Sequence, residues 1–341
     1  DMTPRRGLRP GGLYFCHPPR LEEVYGEAER AALAGLLAID DEVVLTRDNW
    51  RRHRELLLDV RVLVSTWGGP VLDAEFLEAA PDLDLLLYGA GTIRNIMTDE
   101  AWERGVRVTT AADANAVPVA EFSLSQILYC LKNGWQLSRR TTAGEDALWG
   151  VDKPMAGTYG STVGLVSLSL IGSKVAHLLQ AFDVEVLAYD PVADSGRFAE
   201  LGVSSVGLDE LFAASDVVSV HAPLLSETRH LIDERLLRAM KRGASLINTA
   251  RGAIINEADL IEVLAARPDL TAVLDVTDPE PPAPDSPLRS LPNAVITPHI
   301  AGAFRGECRR LGEAMVAELR RYLAGEPLRW EITRDAQALR A

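Results

Sequence analysis

The sequence predicts an α/β fold built from two doubly wound parallel sheets, and three observations carry that expectation. Strand-like and helix-like segments alternate along nearly the whole chain. One complete alternating set precedes Asn115 and another follows it. Near the middle, an apolar run over 162–166 enters a tight turn, a helix-like segment over 173–182 leaves it, and a second apolar run over 184–189 ends on Asp190. That order is strand, turn, helix, strand, acid.

Taken from the start, residues 12–15 predict a strand, 21–37 a helix, 42–46 a short strand and 61–66 a stronger one. A helix over 73–80, a strand over 83–88, the loop Gly89-Ala90-Gly91-Thr92, a helix over 98–104 and a strand over 106–109 complete the first set. Asn115-Ala116-Val117-Pro118 reads as a break, because proline lacks a donor and restricts the residue before it. Helix-spaced apolar residues follow over 119–138, with Glu121 in the first turn, long enough for an interface helix. Residues 141–159 read as a polar, glycine-containing loop. After the central unit come a helix over 208–213, a strand over 217–220, a helix over 234–240, a strand over 245–248, a helix over 257–267 and a strand over 271–274. A proline-rich loop over 279–292 leads to a last strand at 295–297 and a final helix over 305–323.

Length and composition set the outer limits. A chain of 341 residues accommodates two ordinary domains. A net charge of -14 disfavours nonspecific binding to nucleic acid or anionic membrane. It leaves room for a small anionic substrate met by a local arginine. Three cysteines without CxxC spacing suggest neither a disulfide framework nor a zinc site, so no metal is expected and a cytoplasmic setting is. No signal peptide is expected in the opening residues, and no apolar run is long enough to predict a membrane span.

The central turn is the first functional signal. A dinucleotide-binding turn reads G-x-G-x-x-G; this one reads S-x-S-x-x-G, with Ser167 and Ser169 in the first two glycine places and Gly172 in the third. Ser167 fits only with a negative φ or with tolerated strain. Ser169 brings a Cβ to the place where backbone approaches a pyrophosphate, and a hydroxyl able to donate to it. Asp190 stands where an acid accepts hydrogen bonds from ribose hydroxyls, which favours NAD over NADP. Arg197 is the one nearby counter-argument. The turn therefore predicts a bound but weakened NAD site.

The second signal is a set of polar residues at later strand ends. Arg251 follows the strand over 245–248, Glu280 lies past Asp275 after the strand over 271–274, and His299 follows the strand at 295–297. In an open parallel sheet such ends line one crevice. Each has an ordinary reading: a helix-entry turn, a solvated loop acid, a loop histidine. Together they form a coherent set. Arginine forks onto a carboxylate, histidine exchanges a proton with an alcohol or carbonyl oxygen, and the acid holds the imidazole.

The chain resembles the D-isomer-specific 2-hydroxyacid dehydrogenases, which include phosphoglycerate dehydrogenase and glyoxylate/hydroxypyruvate reductases. The resemblance rests on Asn115-Ala116-Val117-Pro118-Val119-Ala120-Glu121, Val163-Gly164-Leu165-Val166 with Ile171-Gly172, Tyr189-Asp190-Pro191, His221-Ala222-Pro223-Leu224 with Glu227-Thr228, Asn248-Thr249-Ala250-Arg251-Gly252, Leu274-Asp275-Val276 with Glu280-Pro281, and Thr297-Pro298-His299. These cover about residues 60 to 305 in the family's order.

The resemblance implies that Arg251 binds the substrate carboxylate, that His299 is general acid in reduction and base in oxidation, and that Glu280 pairs with His299. It implies NAD contacts from Ser169, Leu170, Ile171, Asp190, His221, Ala222, Pro223, Thr228, Thr249, Ala250, Asp275, His299 and Ala301. It implies that Gly89, Ala90, Gly91 and Thr92 hold the substrate carboxylate with Arg251 and His299. Two departures stand out: Leu170 replaces a common arginine, and Ile93-Arg94-Asn95 replaces the usual acidic turn, with Arg94 either a second cation or a surface residue. The implied architecture is a substrate-binding domain from 1–116 and 303–341 and a Rossmann domain from 117–302, with a cleft between them and hinges near Val117 and Ala303. Relatives of this kind are homodimers, paired through the long helix. Trp67 and Trp149 either close the pocket or serve as core or dimer contacts. Two other activities stay open on the same scaffold: an NAD(H)-sensing binding protein, and a dehydrogenase of formate or phosphite type.

Overall fold

Two parallel sheets organise the chain, and the order of their strands is what places the site. The computed structural model describes residues 9–145 and 157–338. The strands are β1 (Gly11–Phe15), β2 (Val44–Leu45), β3 (Val60–Ser65), β4 (Leu85–Tyr88), β5 (Arg107–Thr110), β6 (Ser161–Val166), β7 (Val184–Tyr189), β8 (Ser204–Ser205), β9 (Val217–Val220), β10 (Ser245–Asn248), β11 (Thr271–Leu274), β12 (Ala294–Ile296) and β13 (Glu331–Ile332). The chain divides into two units, one of residues 1–115 with 303–341 and one of residues 116–302.

The first unit holds a sheet in the order β13-β5-β4-β3-β1-β2. Its five parallel strands run 2-1-3-4-5, the flavodoxin-like winding, and β13 joins β5 antiparallel. Strand alternation buries both faces. Phe15, Leu63 and Leu86 face one core, while Tyr14, Val64 and Leu87 face the other. The second unit holds a wholly parallel sheet in the order β12-β11-β10-β9-β6-β7-β8. Numbered within the unit this is 3-2-1-4-5-6 with one strand added at the far edge, the doubly wound dinucleotide-binding order. Its direction of growth reverses between β6 and β9. The turn after β6 and the loop after β9 therefore open the crevice where such sheets bind ligands.

Several elements differ from expectation. The helix expected over 21–37 is two helices, Pro18–Val24 and Glu27–Leu36. Gly26 breaks it: its N–H donates to Glu29 Oε2 at 2.8 Å, and a Cβ there would strike the Arg309 guanidinium at 1.7 Å. The break expected at Asn115–Pro118 is absent. A helix runs Ala112–Leu131 straight through Pro118, because the alanine-rich stretch before the proline has already started the helix. That helix ends before 138, at Leu131, and Asn133, with a left-handed φ of 51°, separates it from the helix Gly134–Thr142. The helix after the central turn begins three residues early, at Leu170, and runs to Leu179, capped by Ser169. The final helix is Arg309–Ala324, led in by a 3-10 turn. The helix Ser195–Leu201, β8 and β13 have no counterpart in the sequence reading. Trp149 lies outside the described residues. No helix among the described residues is long and apolar enough to cross a membrane.

Candidate functional site

In the second unit the expected cofactor residues stand at the carboxyl ends of β6, β7, β9, β10, β11 and β12. The turn after β6 resolves what the serines do. Ser167 adopts φ 79°, the left-handed region a glycine would normally fill. Its hydroxyl compensates locally: Oγ donates to Asp190 Oδ2 at 3.0 Å and accepts from Ser169 N–H at 3.2 Å. Ser169 Oγ donates to the His221 carbonyl at 2.7 Å, so its proton goes to the β9 loop and not outward. Gly172 keeps the helix close to the strand, since a Cβ there would lie 2.1 Å from the Ser167 carbonyl oxygen. Leu170 and Ile171 head a ten-residue helix with N–H groups that have no intrahelical acceptor. That is a ready place for an anion. Leu170 is 45% exposed at this point.

Asp190 is heavily engaged. Oδ2 accepts from Ser167 Oγ and from Leu168 N–H at 2.7 Å, and Oδ1 accepts from the N–H groups of Val192 and Ala193. Arg197 pairs with Glu200 at 2.7 Å, which commits its charge elsewhere. His221 is buried, and neither ring nitrogen meets a partner among the described residues. Burial pushes its pKa down to about 3, so the ring is neutral. Ala222 is buried beside it, and the Thr228 hydroxyl closes the following loop onto the Pro223 carbonyl at 2.5 Å.

At the end of β10, the side chain of Asn248 builds the turn that presents Arg251. Its Oδ1 accepts from Ala250 N–H at 3.0 Å and its Nδ2 donates to the Arg251 carbonyl at 2.9 Å. Thr249 and Ala250 are buried, and the Thr249 hydroxyl meets Ser123 Oγ at 3.0 Å. Gly252 is obligatory: a Cβ there would lie 2.1 Å from the Thr277 carbonyl. This close approach ties the Arg251 turn to the segment that leads to Glu280.

The end of β12 presents His299. Its Nδ1 lies 2.5 Å from Glu280 Oε1, and both side chains are solvent-accessible at 48% and 40%. His299 sits at φ 53°, a left-handed position with a real backbone cost for a residue with a Cβ. Asp275 holds it there. Its carbonyl accepts from His299 N–H at 3.1 Å, and its buried carboxylate accepts from Thr297 Oγ1 at 2.6 Å and from the N–H groups of Ile300 and Ala301 at 2.9 Å each. Beside the pair opens a cavity of ≈ 630 Å³, walled by Glu280, Pro281, Arg289, Ile296 and His299. Asn248 and Thr297 entered the sequence reading only as members of the quoted motifs, without a role of their own. An asparagine closing a strand before a turn is the signal that marks the first.

Asp275→Asn tests this scaffold. An amide cannot accept from three donors with both of its heavy atoms, so one N–H or hydroxyl faces an NH₂ group. The expected cost is about 1–3 kcal/mol of stability, read as a lower Tm.

In the first unit, the loop Gly89–Thr92 follows β4. Gly89 N–H donates to the Ser65 carbonyl at 2.8 Å and Ala90 N–H to the Tyr88 carbonyl at 2.7 Å. The N–H groups of Gly91 and Thr92 have no partner among the described residues. Gly89 must be glycine, because a Cβ would meet Tyr25 Oη at 2.7 Å. Arg94 is exposed, and its N–H reaches Thr92 Oγ1 at 3.4 Å. Trp67 is partly buried against both cores of this unit, with the Arg20 guanidinium 5.3 Å over its ring. Among the described residues no group of three or more His, Cys, Asp or Glu could hold a metal ion.

Known proteins resemble this chain in sequence and in fold. Residues 124–301 match a family model described as the NAD binding domain of D-isomer specific 2-hydroxyacid dehydrogenases. A D-3-phosphoglycerate dehydrogenase of Archaeoglobus fulgidus is 35% identical over 259 residues, 76% of this chain and 49% of that one. The chain thus spans about half the length of that relative. A glyoxylate reductase of Korarchaeum cryptofilum is 35% identical over 274 residues, 80% of this chain and 82% of that one. Among solved structures, the TT0316 protein of Thermus thermophilus superposes with a TM-score of 0.73 at 30% identity, covering 94% of this chain and 100% of its own.

Proposed function

Because this chain belongs to the D-isomer specific 2-hydroxyacid dehydrogenase family, we propose that it transfers a hydride between NAD and a small D-2-hydroxy or 2-keto acid. The observation that carries the proposal is the Glu280–His299 pair at 2.5 Å, on the same sheet edge that presents Arg251. The residue set fits the cofactor. Gly172 permits the close turn, the head of the helix Leu170–Leu179 offers two N–H groups to a pyrophosphate, and Asp190 stands at the end of β7 for ribose hydroxyls. Ala222, Pro223, Thr249 and Ala250 line the neighbouring strand ends. A 2′-phosphate would face the Asp190 carboxylate, which favours NAD over NADP.

When bound, the nicotinamide supplies or accepts the hydride. The chain's own residues do the rest. Arg251 forks onto the substrate carboxylate. His299 Nε2 gives a proton to the carbonyl oxygen during reduction and takes it back during oxidation. Glu280 accepts from Nδ1–H, which fixes the tautomer and stabilises the imidazolium. Asp275 fixes the backbone on which His299 rides.

In this reading residues 117–302 form the cofactor domain, and 1–116 with 303–341 form the substrate domain. The helix Ala112–Leu131 leaves Phe122, Leu124 and Leu128 half-buried and Tyr129 41% exposed, which supports a homodimer paired there. The three cysteines are free and buried, which suits a reducing cytoplasm.

A panel of 2-keto acids assayed by NADH absorbance tests the function. Glyoxylate or hydroxypyruvate is expected to drive NADH oxidation, with NADPH clearly poorer. NADH binding without turnover across the panel would instead favour the NAD(H)-sensing protein, and NADH formation from NAD+ with formate or phosphite as the hydride donor, without keto-acid reduction, the third activity.

A further inference from the structure

We infer that the Ser167 hydroxyl is an internal competitor at the cofactor turn, holding the Asp190 carboxylate that the ribose needs and so setting NAD affinity and selectivity. The inference rests on the reading of this turn as an NAD site. A carboxylate offers about four acceptor positions. Asp190 already fills four of them, with Ser167 Oγ and Leu168 N–H on Oδ2 and Val192 and Ala193 N–H on Oδ1. Three of these donors are backbone groups fixed by the turn. Only the Ser167 hydroxyl is free to rotate, so it is the donor a ribose hydroxyl must displace.

The same hydroxyl occupies a second group. It accepts from Ser169 N–H at 3.2 Å, the backbone donor just ahead of the helix Leu170–Leu179. Ser167 thus satisfies one acceptor and one donor internally that a glycine would leave to the ligand. It does so at φ 79°, where glycine carries no Cβ cost. Ser169 does not compete in this way, because its hydroxyl proton goes to the His221 carbonyl. Ser167 is therefore a specificity-determining residue that acts through Asp190, not a catalytic one.

Ser167→Gly and Ser167→Ala, titrated with NADH and NADPH by fluorescence and melted in parallel, test the inference. Glycine is at ease at this φ, so the first variant is expected to fold even if alanine is strained. Kd for NADH should fall roughly tenfold in Ser167→Gly, the worth of one hydrogen bond to a charged group, and fall in the same direction in Ser167→Ala. The gain for NADPH should be smaller, because its 2′-phosphate has no hydroxyl to donate to Asp190. An unchanged or weaker Kd for NADH in the glycine variant overturns the inference, as do equal gains for both cofactors. A higher Tm with no change in Kd overturns it too, since that is strain relief alone. If the unsubstituted chain and both variants all fail to bind NADH, the NAD reading falls together with the inference.

Discussion

His299→Gln is expected to lower kcat by about 10²- to 10⁴-fold while leaving the Kd for NADH nearly unchanged. An imidazole can both give and take a proton, and this one is already paired through Nδ1 with Glu280 at 2.5 Å. Glutamine keeps polarity and similar length but cannot shuttle a proton. The backbone should tolerate the change, because His299 is held through its own N–H and through the next two N–H groups, all bonded to Asp275. Steady-state decay of NADH absorbance and a parallel NADH titration measure the two quantities. Turnover within a few-fold of the unsubstituted chain would remove His299 from the proton-transfer role. Loss of NADH binding together with turnover would instead point to a collapsed turn.

The extent to which this site is readable from sequence varies with the range of the interactions that build it. Strand runs such as Val184–Tyr189, Ser245–Asn248 and Thr271–Leu274 match the expected bounds to the residue, because a strand buried on both faces leaves an apolar run in the sequence. The strand-end placement of Arg251, Glu280 and His299 was legible for the same reason: topology follows from alternation, and chemistry collects at carboxyl ends.

What was not legible depends on contacts distant in sequence or on a single dihedral. The split at Gly26 depends on an arginine 283 residues later, at Arg309. β13 has no pattern of its own and exists because Glu331 and Ile332 pair with β5, with Glu331 also salt-bridged to Arg107 at 2.8 Å. Sequence reasoning left the φ of Ser167 open, and the hydrogen bond to Asp190, 23 residues on, accompanies the strained answer. The service of Asp275 as anchor of the His299 turn was hidden because an acid after a strand looks alike whether it faces a ligand or a loop.

Arg251→Leu is expected to lower kcat/KM by about 10²- to 10³-fold, the consequence of losing roughly 2–5 kcal/mol when one partner of a hydrogen-bonded charge pair is truncated. In a chain of net charge -14, an anionic substrate needs a local cation to be held at all. The substitution should spare the fold. The turn around Arg251 is built by the Asn248 side chain and by the close passage of Gly252 past Thr277. The guanidinium adds a bond, Nη1 donating to the Ala250 carbonyl at 2.7 Å. A melt run alongside separates loss of that bond from loss of substrate binding. Arg251→Lys keeps the charge and loses the planar fork, so it should recover only part of the loss. The split between KM and kcat then reports what the fork does. A rise in KM alone means that Arg251 binds substrate and transition state equally. A fall in kcat as well means that the guanidinium also bears on the carbonyl oxygen as charge builds there. If leucine and lysine variants both retain full kcat/KM with glyoxylate, Arg251 does not hold the carboxylate.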